Sequence, residues 1–212
     1  MERISRVVGP ASTNVHILAD ERSGEAIAID TAIPSITWIA DELAARAWTL
    51  RFIVSTHGHW DHIGDNAAVA GATGAGIAVH PLDRESLVHP QPLWAPFEIP
   101  PSVPAIELAE GGEVRFGSIR LKVLHTPGHT PGSVCLQAAD EGLLFSGDTL
   151  FAGGWGRIDL PGGSAEAIVE SLGRLAELEP AVAVLPGHGA TTTIGRERPW
   201  LEMVRSARRL PI

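Results

Sequence analysis

Cysteine occurs once, at Cys135, so an intramolecular disulfide framework is excluded and a reducing compartment is permitted. Tyrosine is absent from all 212 residues, which removes any chemistry that depends on a phenol near the reacting centre. No apolar run approaches membrane-spanning length. The opening Met1-Glu2-Arg3-Ile4-Ser5-Arg6 places charges where a signal peptide needs its apolar stretch, so a cytoplasmic protein is expected. Basic residues are outnumbered, 16 against 25 acidic, for a net charge of −9. Phosphate binding needs clustered lysine and arginine, and an anionic surface repels such a chain, so neither nucleic acid nor membrane is an expected partner. What remains is ordinary for a globular protein with a sizeable core: 44% hydrophobic and 19% charged residues.

Against that background one stretch stands out. Thr56-His57-Gly58-His59-Trp60-Asp61-His62 gathers three imidazoles and a carboxylate directly after the apolar run Leu50 to Ser55. The run has the composition of a buried strand, and Gly58 turns the chain at its end. Four polar side chains crowded there are costly to desolvate unless something pairs them. Neutral imidazole and carboxylate are the usual ligands of divalent metals, which makes a metal the expected partner.

Taken in order, the chain begins with strands at Ile4 to Val8, Val15 to Ala19 and Ala26 to Ile29, the last closed by Asp30. Pro34 opens a helix whose apolar positions Ile36, Ile39, Ala40, Leu43 and Ala47 recur at helical spacing. After the histidine cluster come a short helix from Asn66 and a strand at Ile77 to Val79. Between His89 and Pro104 six prolines flank Trp94 and Phe97, which predicts a rigid loop folded over a surface as one wall of a pocket. Strands follow at Val114 to Phe116, Ile119 to Leu124, Ser133 to Leu136 and Leu143 to Ser146. Ser164 caps a helix striped by Ile168, Leu172 and Leu175, Ala181 to Leu185 forms the last strand, and a final helix is expected from Pro199. Two sheets between helical layers suit this order better than strict alternation, so the expected class is α+β, arranged as a four-layer αββα sandwich.

Further ligands should stand at other strand ends. Three turns qualify: Thr126-Pro127-Gly128-His129, Ser146-Gly147-Asp148 and Pro186-Gly187-His188. Each places a glycine just before the polar residue, allowing a sharp turn and close backbone approach. The set His57-x-His59-x-Asp61-His62, His129, Asp148 and His188, with flanks Thr-Pro-Gly-His-Thr-Pro-Gly, Ser-Gly-Asp-Thr-Leu-Phe and Pro-Gly-His-Gly, resembles the metallo-β-lactamase fold superfamily. It is most similar to glyoxalase II and its single-domain relatives, which implies one domain over residues 1–212 and an αββα sandwich with metals along one edge.

The resemblance also implies two divalent ions, zinc first, with iron or manganese as alternatives. One would sit on His57, His59 and His129, the other on Asp61, His62 and His188, with Asp148 shared between them. The shared carboxylate screens two neighbouring cations. Asp61 would in addition orient the attacking water. Trp60, Trp155 and Arg157 are candidate substrate contacts, as is Trp94; core packing is the alternative for each tryptophan, and for Arg157 a structural pair with Asp159 is the favoured reading. Asp30 either accepts the outer N–H of a ligand histidine or caps the helix near Pro34. Asn14 is a candidate support for the same edge. His16, His80, His89 and His125 fall outside the ligand pattern and read as packing or surface residues, and Cys135 reads as a buried apolar residue.

Several activities of the superfamily are set aside by what is missing. Its β-lactamases carry a cysteine in place of Asp148 or otherwise lack that aspartate. Its acyl-homoserine lactonases place a tyrosine near the metals, and its nucleases carry inserted domains and basic grooves. The expectation is a binuclear metallohydrolase of small thioesters such as S-acylglutathione, acting through water activated between the metals. The Gly156-Arg157-Ile158-Asp159 element is shared with persulfide dioxygenases, whose single iron would sit on His57, His129 and Asp148. A non-catalytic metal-binding module is a further alternative. The partner is a small-molecule substrate, and the acidic surface with its Trp200-bearing helix permits a homodimer.

Overall fold

Short apolar runs bounded by glycine, proline or acidic residues form the strands, and alternation along each strand decides which layer a side chain joins. The computed structural model describes residues 1–91, 93 and 95–211. Its first half builds a six-stranded sheet: β1 (Glu2–Val8), β2 (Thr13–Asp20), β3 (Glu25–Ile29), β4 (Thr49–Val54), β5 (Gly76–Val79) and β6 (Ile106–Glu107), side by side in chain order. β1 to β3 form an antiparallel meander, whereas β3 to β6 run parallel. The second half builds another six-stranded sheet, from β7 (Glu113–Phe116) through β8 (Ile119–His125), β9 (Val134–Ala138), β10 (Leu143–Gly147) and β11 (Ala183–Pro186) to β12 (Thr192–Thr193). Here only β10 and β11 pair in parallel.

The helices cover the outer faces. They are α1 (Ile36–Arg46), α2 (Trp60–Ile63), α3 (Asn66–Thr73), α4 (Arg84–Val88), α5 (Ala165–Leu175) and α6 (Ile194–Ala207). Between the sheets, Leu18, Ile27, Ile29 and Val54 meet Phe116, Leu121, Leu136, Phe145 and Leu185. Ala26, Ala28 and Ile53 face the other way, against Ile39, Leu43 and Val69 of α1 and α3. On the far side Cys135, Leu144 and Val184 pack under Ile168, Leu172, Leu201 and Val204 of α5 and α6. The architecture is therefore a four-layer αββα sandwich. Each fully buried aliphatic or aromatic side chain in these layers contributes roughly 1.5–3 kcal/mol by leaving water.

Two local differences from the sequence expectation have plain causes. Leu50 and Phe52 face opposite layers although two positions apart, because Arg51 is an extra residue where Ala26 and Ile27 pair with Leu50 and Phe52. The last helix starts at Ile194 rather than Pro199, since the Thr193 hydroxyl caps it by accepting from Arg196 N at 3.1 Å. Pro199 then lies inside the helix, where its missing N–H leaves the Gly195 carbonyl without a helical donor.

The segment after α4 is irregular, as its prolines require. Phe97 packs edge-on against Trp60 with ring centroids 5.9 Å apart, and Ile99 is buried in the same layer. Pro92 and Trp94 lie outside the described residues. No helix among the described residues is long and apolar enough to cross a membrane.

One edge of the sandwich collects the C-terminal ends of β4, β8, β10 and β11. Backbone bonds sew the two sheets together there, Val134 N to Thr56 O at 2.8 Å and Asn14 N to Gly187 O at 2.7 Å, while Gly187 N to Gly147 O at 2.8 Å extends the pairing of β10 with β11.

Candidate metal centre

Beyond β4, the chain is held open by carboxylates from neighbouring segments. Asp30 accepts from Thr56 N at 2.7 Å and from Thr56 Oγ1 at 2.8 Å, which fixes the residue before His57. His59 stands at the N-terminus of α2, and that single helical turn presents Asp61 and His62. β8 leads to His129, β10 to Asp148 and β11 to His188. Glycine is required where these turns close. Gly147 has φ +47°, and a β-carbon at Gly187 would lie 2.3 Å from Asp148 Oδ1 and 2.6 Å from the His62 ring.

All seven predicted side chains converge. His59 Nδ1 faces His129 Nε2 at 2.7 Å, and His62 Nε2 faces His188 Nε2 at 3.1 Å. Asp148 bridges the groups, with Oδ2 3.5 Å from both His129 and His188 and Oδ1 3.4 Å from His62 Nε2. Asp61 Oδ2 lies 3.1 Å from His188 Nε2 and 3.5 Å from His62 Nε2. Three triads have donor atoms close enough to share an ion: His57, His59 and His129; His57, His62 and Asp148; and Asp61, His62 and His188.

The outward ring nitrogens of His57, His62 and His129 are already committed, which turns the second nitrogen of each inward. His62 Nδ1 donates to Asp30 Oδ2 at 3.0 Å, and His129 Nδ1 donates to the Arg157 carbonyl at 2.7 Å. The Thr56 hydroxyl spends its proton on Asp30, so His57 Nδ1 donates to Thr56 Oγ1 at 3.1 Å. His57 Nε2 and Asp148 Oδ1 are then buried acceptors with no partner. Facing lone pairs and orphaned buried acceptors need a cation between them, and an all nitrogen and oxygen donor set fits a divalent metal.

Charge within the centre is polarised. Burial drives the His57 imidazole well below its ordinary value, with the His62 and His129 rings adding to the effect. Burial, then His129 and His62, lowers His59 to about 3. Burial opposes the charged form of His62 as well, yet Asp61, Asp148 and Asp30 outweigh it and raise the group to about 10. His188 is raised against burial by its bond to Asp61 and the charge of Asp148. Asp61, though buried, is held below the usual carboxylate range by His62 and His188. The carboxylates thus accumulate negative potential that protons or metal cations can satisfy, in competition.

The remaining predicted residues divide. Asp30 holds His62, and the start of α1 is held instead by Asp65, whose Oδ2 accepts from Ser35 N at 2.5 Å and Ile36 N at 2.8 Å. Asn14 Nδ2 donates to the Pro186 and Gly189 carbonyls at 2.9 and 3.0 Å, cradling the His188 turn. Trp60 and Arg157 line a cleft of about 360 Å³ beside the cluster, together with Ala11, Leu93, Phe151 and Leu160. Arg157 is bidentate to Asp159, at 2.7 Å for both bonds. Trp155 does not join that lining; it packs on Trp200 at 5.8 Å because the stripe of α6 claims it. His16 is buried against Phe145 and lowered to about 4 by burial, His80 stacks on His125, and His89 is exposed. Burial pushes the Cys135 thiol up to about 11, so it is no nucleophile.

Two groups escaped sequence inspection. Asp83 accepts from Gly58 N and from Thr130 and Gly132, yet nothing in Pro81-Leu82-Asp83 marks it. Thr13, whose hydroxyl points to Asp61 Oδ2 at 3.5 Å, carries no local signal either.

Known proteins place this geometry. An uncharacterised protein of Aquifex aeolicus is 39% identical over 90% of this chain and 91% of its own length. A hydroxyacylglutathione hydrolase of Methylococcus capsulatus is 35% identical over 86% of this chain, a match that spans 64% of that enzyme. Among solved structures, the BLEG-1 B3 metallo-β-lactamase superposes with TM-score 0.87 and 31% identity over 94% of this chain and 99% of its own. A di-iron-bound form of TTHA1623 superposes with TM-score 0.81 and 33% identity over 98% of both chains. ETHE1 from Myxococcus xanthus does so with TM-score 0.82 and 26% identity, over 97% of this chain and 85% of its own. The sequence profile of the metallo-β-lactamase superfamily matches residues 8–188, and the chain belongs to that superfamily.

Proposed function

We propose that the protein is a hydrolase of small thioesters that uses two divalent ions, zinc before iron or manganese. The observation that carries the proposal is the convergence of seven ligand-type side chains around two buried acceptors, His57 Nε2 and Asp148 Oδ1, that receive no hydrogen bond. Bound there, two such ions would supply water of lowered pKa and polarise an acyl carbonyl. His57, His59 and His129 would hold one, and Asp61, His62 and His188 the other, with Asp148 shared.

The chain's own residues provide the rest. Asp61 borders the cleft as an ionised acceptor steadied by His188 and Thr13, so it can hold the proton of an attacking water and fix its direction. Trp60, Leu93, Phe151 and Leu160 form apolar walls that limit bulk water at that point. A thiolate departs with little protonation, so the absence of a lysine or tyrosine acid in the lining suits a thioester.

A second cleft of about 330 Å³ shares His59 and Leu93 with the first and is lined by Leu82, Pro131 and Pro161 among others. Arg157 is the one lysine or arginine in either described lining, and it is engaged by Asp159. Similarity to a hydroxyacylglutathione hydrolase supports thioester chemistry, while this lining supports a short thiol arm with little negative charge. The test compares turnover of S-lactoylglutathione, an uncharged acyl thioester and a β-lactam by the zinc-loaded protein. Thioester hydrolysis abolished by Asp148→Ala is expected. No thioester turnover, or faster turnover of the β-lactam, would sink the proposal.

The second reading, a mononuclear iron dioxygenase acting on persulfides, draws on the same cluster, since His57, His129 and Asp148 all face it. Metal analysis separates the two. Two equivalents per chain support the hydrolase, whereas one iron equivalent with oxygen uptake on a persulfide supports the oxygenase.

A further inference from the structure

Asp83 lies outside the seven-residue cluster but grips two of its loops. It sits in the turn between β5 and α4 and is only 2% exposed. Oδ2 accepts from Gly58 N at 2.8 Å and Thr130 Oγ1 at 2.6 Å, and Oδ1 accepts from Gly132 N at 2.7 Å. Gly58 stands between His57 and His59, and Thr130 follows His129. A single buried carboxylate therefore joins loops from two different sheets, and those loops carry the three members of one triad.

Short bonds to a carboxylate are charge-assisted, so this clasp is stiff. The space around it is also reserved. A β-carbon at Gly132 would stand 2.6 Å from the Asp83 carboxyl carbon, and one at Gly58 would stand 2.6 Å from Ser86 Cβ of α4. Asp30 has the corresponding position on the other side, where its bond to His62 Nδ1 reaches the Asp61, His62 and His188 triad.

We infer that Asp83 is a positioning residue that sets the spacing of His57, His59 and His129, and thereby governs the metal affinity of that half-site alone. The inference rests on the binuclear reading above. Asp83 bonds to none of the ligand nitrogens and acts on them through the loops it joins, although it also borders the second cleft, so metal binding rather than turnover is the readout. Losing a group that orients ligands costs roughly 10–100-fold in metal affinity.

The experiment is zinc titration against a chromophoric chelator, with metal content by mass spectrometry and folding by circular dichroism. Wild type should take two equivalents, Asp83→Ala one at wild-type affinity with the other weakened roughly 10–100-fold. His188→Ala should keep one, and the Asp83→Ala/His188→Ala double variant should keep none at wild-type affinity. Thr130→Val, which removes one of the three donors, should weaken the same equivalent by a smaller factor and carries the test where Asp83→Ala does not fold. Asp20→Asn, a comparable buried carboxylate bonded to Ser118 far from the cluster, should retain both equivalents. Two wild-type equivalents in Thr130→Val and in any folded Asp83→Ala would overturn the inference, as would one tight equivalent in the double variant or loss of both in Asp83→Ala. A wild-type chain that takes no metal would instead remove the binuclear reading beneath it.

Discussion

At Asp148 the competing demands of stability and chemistry meet in one side chain. Its Oδ1 is a buried acceptor without a hydrogen bond, and its charge lies beside that of Asp61, both carboxylates approaching His188 Nε2. A buried charge that is incompletely paired costs free energy in the folded chain. Asp148→Ala should therefore change the stability of the metal-free protein little, because lost attraction to His62 and His188 is offset by relief of repulsion from Asp61, while abolishing thioester turnover. Thermal melts of the chelated protein and kcat/KM after zinc loading check the two halves; a parallel fall in both would show that Asp148 is structural. Gly187→Ala should behave differently, because its β-carbon would collide with Asp148 Oδ1 and the His62 ring. Turnover is expected to fall with little loss of α-helical circular dichroism. The seven cluster residues were legible in the sequence because four share one heptapeptide and the others follow glycine at strand ends. Asp83 was not, because its donors come from positions 25, 47 and 49 residues away. Only folding puts them together.

Among the elements, α5 shows how a helix start can position a distant loop. Ser164 caps it by accepting from Ala167 N at 3.2 Å, and Ser164 N donates to the Gly128 carbonyl at 2.8 Å. Gly128 in turn has φ +138°, with Ile168 N 2.4 Å from where its β-carbon would stand. The first turn of α5 is thus the floor under His129. Ser164→Ala removes the side-chain cap and should cost about 1 kcal/mol, read as a drop of roughly 2–4 °C in melting temperature. A shift below the error of the melt would mean that the backbone bond to Gly128 suffices. The cap and stripe of α5 were readable from sequence, since both depend on neighbours within the helix. The start of α6 differs from the expectation because proline commonly opens helices, and here Thr193 caps a helix that begins five positions earlier, at Ile194. The bulge at Arg51 and the two-residue strands β6 and β12 left no periodic signal, since pairing partners rather than local alternation create them.

On the scale of the whole molecule, the centre makes stability depend on pH in two opposite ways. His16, His57 and His59 have folded values below the ordinary 6.5, so the folded chain holds fewer protons than the unfolded one between those values and 6.5. Their contribution is present above pH 6.5 and is lost as pH falls through the folded values. His62 has the opposite sign. Its folded value of about 10 exceeds 6.5, so its contribution is complete below pH 6.5 and is lost as pH rises towards 10. His188 is raised in the same direction. The metal-free protein should accordingly melt highest near pH 6.5 and lose stability on both sides. A divalent ion must displace the proton on His62, so its affinity rises with pH through the same window. Ligand binding to the folded state adds RT ln(1 + [L]/Kd), which grows as Kd falls. Zinc should then convert the alkaline decline between pH 6.5 and 9 into a plateau or a rise. Melting curves from pH 5 to 9, with chelator and with excess zinc, measure both arms. Parallel curves, separated by the same interval at every pH, would mean that no proton leaves the cluster when the metal enters, and the charge assignment of His62 would be wrong.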